Sequence, residues 1–220
     1  MGYFPFFIDI SGRRCVVIGG GRVALRKIQK LAPYGPDITV VAPEIAEEII
    51  PLVTKAVRRE FEESDLDGAF MAIAAANDRA LDRRIYELCT RRGMLINSVD
   101  DIESCGFVFP ALVTRGNISI GISTSGTAPA FAKHLRREIE ALLDDRTLAA
   151  AELSARVRPM LKKYFDTERL RARAADELLR LCSEGGGLLS DEAVRELFER
   201  IKRDEDQDRN TRQQACDDTD

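Results

Sequence analysis

No two cysteines of this sequence stand at C-x-x-C spacing. The five present (15, 89, 105, 182 and 216) are odd in number, far apart and mostly set in apolar runs, so neither a zinc site nor a disulfide framework is signalled. No stretch approaches the roughly 20 apolar residues that span a bilayer. The opening MGYFPFFIDI is apolar but short, lacks a basic flank and contains Pro5 and Asp9, which is not a signal-peptide pattern. Gly2 is not followed by the Ser or Thr at the sixth position that N-myristoylation requires. Positive charge is not in excess either. Thirty-three Lys and Arg face 37 Asp and Glu, for a net charge of −4, which argues against a nucleic-acid partner because duplex-binding faces are usually basic. Arg58-Arg59, Arg83-Arg84, Arg91-Arg92 and Arg136-Arg137 could still form local anion sites. A cytoplasmic protein with no membrane partner is expected.

What is present is ordinary for a globular chain: 45% hydrophobic and 32% charged residues. A length of 220 residues holds one sizeable domain with an appendage, or two small ones. Apolar runs suited to strands (RCVVIG, DITVVAP, AFMAIAAA, MLINSV, with a marginal AVRREFEE) alternate with helical patterns between residues 13 and 99. That alternation indicates parallel βαβ units in a doubly wound sheet. FFIDI, residues 6–10, is read as a short lead-in strand, and EIAEEIIPLVTK as a weak helix interrupted by Pro51. The pattern changes at residue 106. FVFPALVTRGNISIGIST reads as two β runs about a turn at Arg115-Gly116-Asn117, and a helix follows with Thr127 as candidate N-cap and Pro129 in its first turn. Further helices are expected at 147–165, 167–183 and 191–204. The acidic, aperiodic residues 206–220 read as a disordered tail.

The first strand runs into Gly19-Gly20-Gly21-Arg22-Val23-Ala24, a G-x-G-x-x-A arrangement between strand and helix. The first glycine permits the tight turn, the second lets backbone approach a pyrophosphate, and the small third residue lets helix and strand pack closely. The helix start then offers free N–H groups to the phosphates. An acidic residue is expected about 20 residues on to meet the ribose. That place holds Val41-Ala42-Pro43, with Glu44 next; Glu44 suits either a ribose hydroxyl or the first turn of the next helix. No arginine stands where a 2′-phosphate would be read, so NAD is favoured over NADP.

Taken together, FPFFIDISGRRCVVIGGGRVALRK, ITVVAPE, AIAAANDRALD, INSVDD and GFVFPALVTRGNISIGISTSGTAPAFAKHLRREIE resemble the precorrin-2 dehydrogenase/sirohydrochlorin ferrochelatase family, which includes the N-terminal module of sirohaem synthases. The resemblance covers residues 3 to 143. It implies dehydrogenation of precorrin-2 to sirohydrochlorin with NAD⁺ as hydride acceptor, and in some members insertion of ferrous iron. By position, Arg22 and Val23 would meet the pyrophosphate, Pro43 and Glu44 the adenosine ribose, and Ala75, Ala76 and Asn77 the cofactor at the next strand end. The family's acidic catalytic residue falls on Asp100, where strand logic also points, since ligands bind outside the carboxyl ends of parallel strands. A carboxylate there could take a proton as hydride leaves; its other reading is a turn cap. The family often continues Asp-Ala-Pro, whereas Asp101 and Ile102 follow here, which makes Asp101 a rival.

Ser123, Thr124, Ser125, Gly126 and Thr127 match the family loop before its long helix, and their hydroxyls and N–H groups suit substrate carboxylates. Arg115, Lys133 and Arg136 are further candidates for those carboxylates, with solvated surface charge as the alternative. His134, the only histidine, reads as structural, as does Cys105, and no metal site is expected. The resemblance implies a homodimer paired through the hairpin segment; such a two-stranded unit must pack on something. The expected organisation is a Rossmann-type NAD-binding domain over 1–113, a dimerisation and active-site segment over 114–146, a C-terminal helical region over 147–205, and the tail. Three functions fit: the dehydrogenase, a bifunctional dehydrogenase and ferrochelatase, and a non-catalytic NAD-sensing module. The last is weakened because residues 147–204 carry no basic face.

Overall fold

A computed structural model describes residues 4–99, 105–185 and 189–217. They group into two compact units, 1–110 with 125–127, and 111–124 with 128–220. In the first, β1 (Arg14–Ile18), β2 (Asp37–Val41), β3 (Lys55–Val57), β4 (Met71–Ala74) and β5 (Leu95–Ser98) form one parallel sheet in the order β3-β2-β1-β4-β5. Helices α1 (Arg22–Leu31) and α2 (Arg79–Arg91) accompany it. Strands covered on both faces read as continuous apolar runs, which is why RCVVI lacks polar alternation. Cys15 and Val17 join one core with Ala24, Ile28 and Leu31 of α1, while Val16 and Ile18 join another with Ile85, Leu88 and Cys89 of α2. The chain runs outward from β1 to β3 and resumes on the other side of β1 at β4. The strand order therefore reverses between β1 and β4, where open α/β sheets place their ligands.

In the second unit, β6 (Ala111–Arg115) and β7 (Ile118–Ile122) pair antiparallel. Gly116 takes φ +55° in the two-residue turn, the glycine-first arrangement of a type II′ hairpin. Helix α3 (Pro129–Leu142) packs on this hairpin. Helices α4 (Asp145–Tyr164), α5 (Glu168–Gly185) and α6 (Asp191–Asp217) follow. They enclose a separate core that includes Leu153, Val157, Phe165, Leu178, Val194 and Phe198.

Four expectations change. Residues 6–10 form no strand: Pro5 removes a ladder donor, no strand pairs with the segment among the described residues, and only Ile10 of its apolar residues is buried. The weak helix after β2 is a 3₁₀ turn over Glu47–Leu52 with Pro51 inside it, since proline breaks the i to i−4 ladder but fits a shorter turn. The N-cap of α3 is Ala128 rather than Thr127, and Thr124 Oγ1 accepts the Ala128 N–H at 3.3 Å. Finally, α6 continues to Asp217, through much of the stretch read as a tail. Just before that stretch, Glu205 and Asp204 pair with Arg169 and Arg173 of α5.

Candidate functional site

Three loops follow the carboxyl ends of β1, β2 and β4, and the glycine run locks them together. Gly19 holds φ +118°, and a Cβ there would run into the Ala75 carbonyl; its N–H donates to Val41 O at 3.0 Å. A Cβ on Gly20 would strike the Glu44 carbonyl and lie 2.7 Å from Ile45 Cα, and the Gly20 carbonyl accepts the Ala46 N–H at 2.9 Å. Ala75 N–H donates to Ile18 O at 2.8 Å. The sequence-predicted cofactor residues Gly19, Gly20, Pro43, Glu44, Ala75 and Ala76 are thus brought to one edge of the sheet by the chain's own packing.

Gly21 differs from its neighbours. It is the N-cap of α1 with φ −91°, and a Cβ there would meet nothing within 4 Å. The fold itself therefore gives no reason for glycine at 21, whereas a ligand lying against the backbone would. No side chain caps the start of α1, and no acidic residue occupies its first turn. The free N–H groups and positive dipole end stay available to an anion, beside exposed Arg22 and Val23. Ala24 is fully buried against β1, as the third position of the motif requires. Helix α2 is the opposite case. Asp78 Oδ1 accepts the Ala80 and Leu81 N–H groups at 2.9 and 3.2 Å, and Asp82 Oδ1 accepts the Ala76 N–H at 3.2 Å. Of the two helix starts at this edge, only that of α1 is built for phosphate.

Beyond β5, Asp100 and its rival Asp101 lie outside the described residues, but both flanks of their segment are fixed. Val99 N–H donates to Ala74 O at 3.1 Å, and Gly106 N–H to Ile96 O at 2.8 Å. Asn97, 3% exposed, donates through Nδ2 to Phe107 O at 3.0 Å and to Cys105 Sγ at 3.5 Å. Cys105 in turn donates to Ser98 O at 3.1 Å. Asn97 Oδ1 is buried without a hydrogen-bond partner among the described residues. Next to this segment Lys27 of α1 places Nζ 4.1 Å over the Phe109 ring. Its pKa is lowered to about 8, chiefly by burial and then by Lys30 and Arg26.

The substrate candidates are less uniform. Ser125 is a non-glycine residue at φ +51°, followed by Gly126 at +79°, and Ser123, Ser125 and Thr127 are exposed. Arg115 is engaged inside the second unit, donating to Leu143 O and pairing with Asp145 at 2.7 Å. Lys133 is exposed on α3, and Arg136 pairs with Glu140 at 2.6 Å. His134 faces solvent and Glu138, with Nε2 at 3.3 Å from its carboxylate. Sequence reading passed over Asn97 and Asp82. A polar residue inside a strand motif, or three residues before a buried isoleucine on a helix, was the available signal.

An open glycine before an uncapped helix, at the switch point of a parallel sheet, defines a Rossmann-type NAD(P)-binding protein. Residues 6–111 match a family described as putative NAD(P)-binding, and residues 115–142 match the central part of sirohaem biosynthesis proteins. The chain is 37% identical to the siroheme synthase of Photobacterium profundum over 167 residues, 74% of this chain and 36% of that protein. It is 38% identical to that of Neisseria meningitidis serogroup C over 177 residues, 78% of this chain and 37% of the other. Over residues 6–142 the chain thus resembles, in order, the NAD(P)-binding and central parts of sirohaem biosynthesis proteins. The matched region spans little more than a third of the length of these siroheme synthases. Among solved structures, SirC, precorrin-2 dehydrogenase, has the same fold, with a TM-score of 0.70 at 24% identity over 91% of this chain and all of that one. Among the described residues no helix is long and apolar enough to cross a membrane.

Proposed function

We propose that this protein dehydrogenates precorrin-2 to sirohydrochlorin with NAD⁺. The observation that carries the cofactor is the space left at Gly21 in front of an uncapped α1; the likeness to siroheme synthases supports the substrate. NAD⁺ supplies a hydride acceptor, so that precorrin-2 and NAD⁺ become sirohydrochlorin, NADH and a proton. The chain's part is to hold the pyrophosphate at Gly21 and Arg22, to offer Glu44 to the ribose, and to position Asp100 to receive the proton. NAD rather than NADP is proposed because Glu44, the first charged residue beyond β2, is acidic and exposed. The loop over 123–127 and Lys133 are proposed for the substrate carboxylates. A cytoplasmic homodimer paired through β6 and β7 completes the proposal, and sedimentation of the purified chain tests that assembly.

The deciding experiment mixes the protein with enzymatically generated precorrin-2 and NAD⁺ without air and follows pigment and NADH together. Sirohydrochlorin and NADH rising in equal amounts is the expected result. Ferrous iron added afterwards separates the single activity from a bifunctional one: conversion to sirohaem above the protein-free rate would add chelation. NAD⁺ binding with no change in pigment would remove the substrate and favour a sensing module.

A further inference from the structure

Asp82 is a carboxylate where the fold asks for an apolar side chain. It lies on the face of α2 that also buries Ile85 and Cys89, and it is 5% exposed. Burying such a group costs free energy unless it is hydrogen-bonded. It is not needed to start the helix, because Asp78 already caps α2. What Asp82 does is reach back to the loop after β4 and accept the Ala76 N–H at 3.2 Å. That loop needs holding: Asn77 sits at φ +59°, a region non-glycine residues occupy only when their surroundings impose it. The same loop supplies the carbonyl of Ala75 that closes over Gly19.

From this we infer that Asp82 is a positioning residue for the cofactor, setting the shape of Ala75–Asn77 through the Ala76 N–H. The inference rests on the NAD reading above. By turning the Ala76 N–H into the helix, Asp82 also withholds that donor from the ligand, leaving the phosphate to the α1 start. The effect on the cofactor passes through the loop, with no contact required of Asp82 itself.

Asp82→Leu removes the acceptor and restores an apolar face. Asp82→Asn keeps an Oδ1 that can accept the same N–H. NAD⁺ titration and steady-state kinetics on both variants make the test. The leucine variant should weaken NAD⁺ binding and raise its KM on the order of tenfold, the scale of one part-buried donor left unsatisfied. Its kcat at saturating NAD⁺ and its KM for precorrin-2 should stay near native. The asparagine variant should return NAD⁺ affinity to near the native value. Native affinity in a folded leucine variant, or equal losses in both variants, would overturn the inference. If the leucine variant does not fold, Asp82→Ala is read the same way. A native protein that binds no NAD⁺ would instead defeat the cofactor reading itself, and the two failures are told apart by that control.

Discussion

A Cβ at position 21 would meet none of the described residues within 4 Å, and the N-cap position favours Asp over Gly by a few tenths of a kcal/mol. Gly21→Asp should therefore leave the thermal midpoint unchanged or slightly raised while NAD⁺ binding is abolished, because the carboxylate would lie in the pyrophosphate path. Native NAD⁺ affinity in that variant would remove the cofactor assignment. Asp100→Asn should keep fold and NAD⁺ affinity and lose dehydrogenation; near-normal turnover would pass the role to Asp101 or to solvent. His134→Ala should leave the dehydrogenase rate intact, since His134 is exposed and its partner is Glu138. Alkaline stability carries a further signature. Lys27 titrates at about 8 when folded against 10.5 ordinarily, so the unfolded chain holds more protons in that window and stability rises with pH. Cys15 and Cys89 are pushed by burial from 9.0 to about 11, so above pH 9 the folded chain holds more protons and stability falls. Denaturant unfolding from pH 7.5 to 11 should show a rise and then a fall, as these groups set it. Lys27→Met should abolish the rising limb.

At the scale of elements, the strands of the sheet could be read because parallel strands buried on both faces leave unbroken apolar runs, as in CVVI and MAIA. Helix α2 could be read from Leu81, Ile85 and Leu88, and its start from Asp78. Replacing Asp78 by Ala removes both side-chain caps and should lower unfolding stability by about 1 kcal/mol, measured by urea denaturation. The glycine turn could be read for the same reason: its three positions have separate geometric duties. The rest depended on tertiary neighbours. FFIDI has strand composition but no strand beside it among the described residues, and the helical pattern after β2 yields to Pro51. Asp82 and Asn97 look solvent-facing in a linear reading, since only the folded sheet buries them. The continuation of α6 to Asp217 is not legible because residues 206–217 carry polar and acidic side chains without an apolar period.

Across the whole molecule, the cores on the two sides of the sheet draw on residues from Ile10 to Ile96, and the C-terminal helical core on residues from Leu153 to Ile201. Deleting residues 206–220 removes none of the described core residues and leaves the pairs at Asp204 and Glu205 in place. The thermal midpoint should then shift by no more than one or two degrees; a large drop would show that the end of α6 is needed for the bundle. The order of the sheet also bears on how the protein is made. Strand β1 is the first of the sheet to be synthesised, yet it is the middle one, and β4 must arrive before its second edge is covered. Until then a growing chain on the ribosome presents Cys15 to Ile18 as an open, wholly apolar strand edge, the kind of surface that recruits chaperones and seeds mispairing. The helical bundle draws its described core from one contiguous stretch and meets no such delay, so biogenesis is most vulnerable while the sheet is still being made.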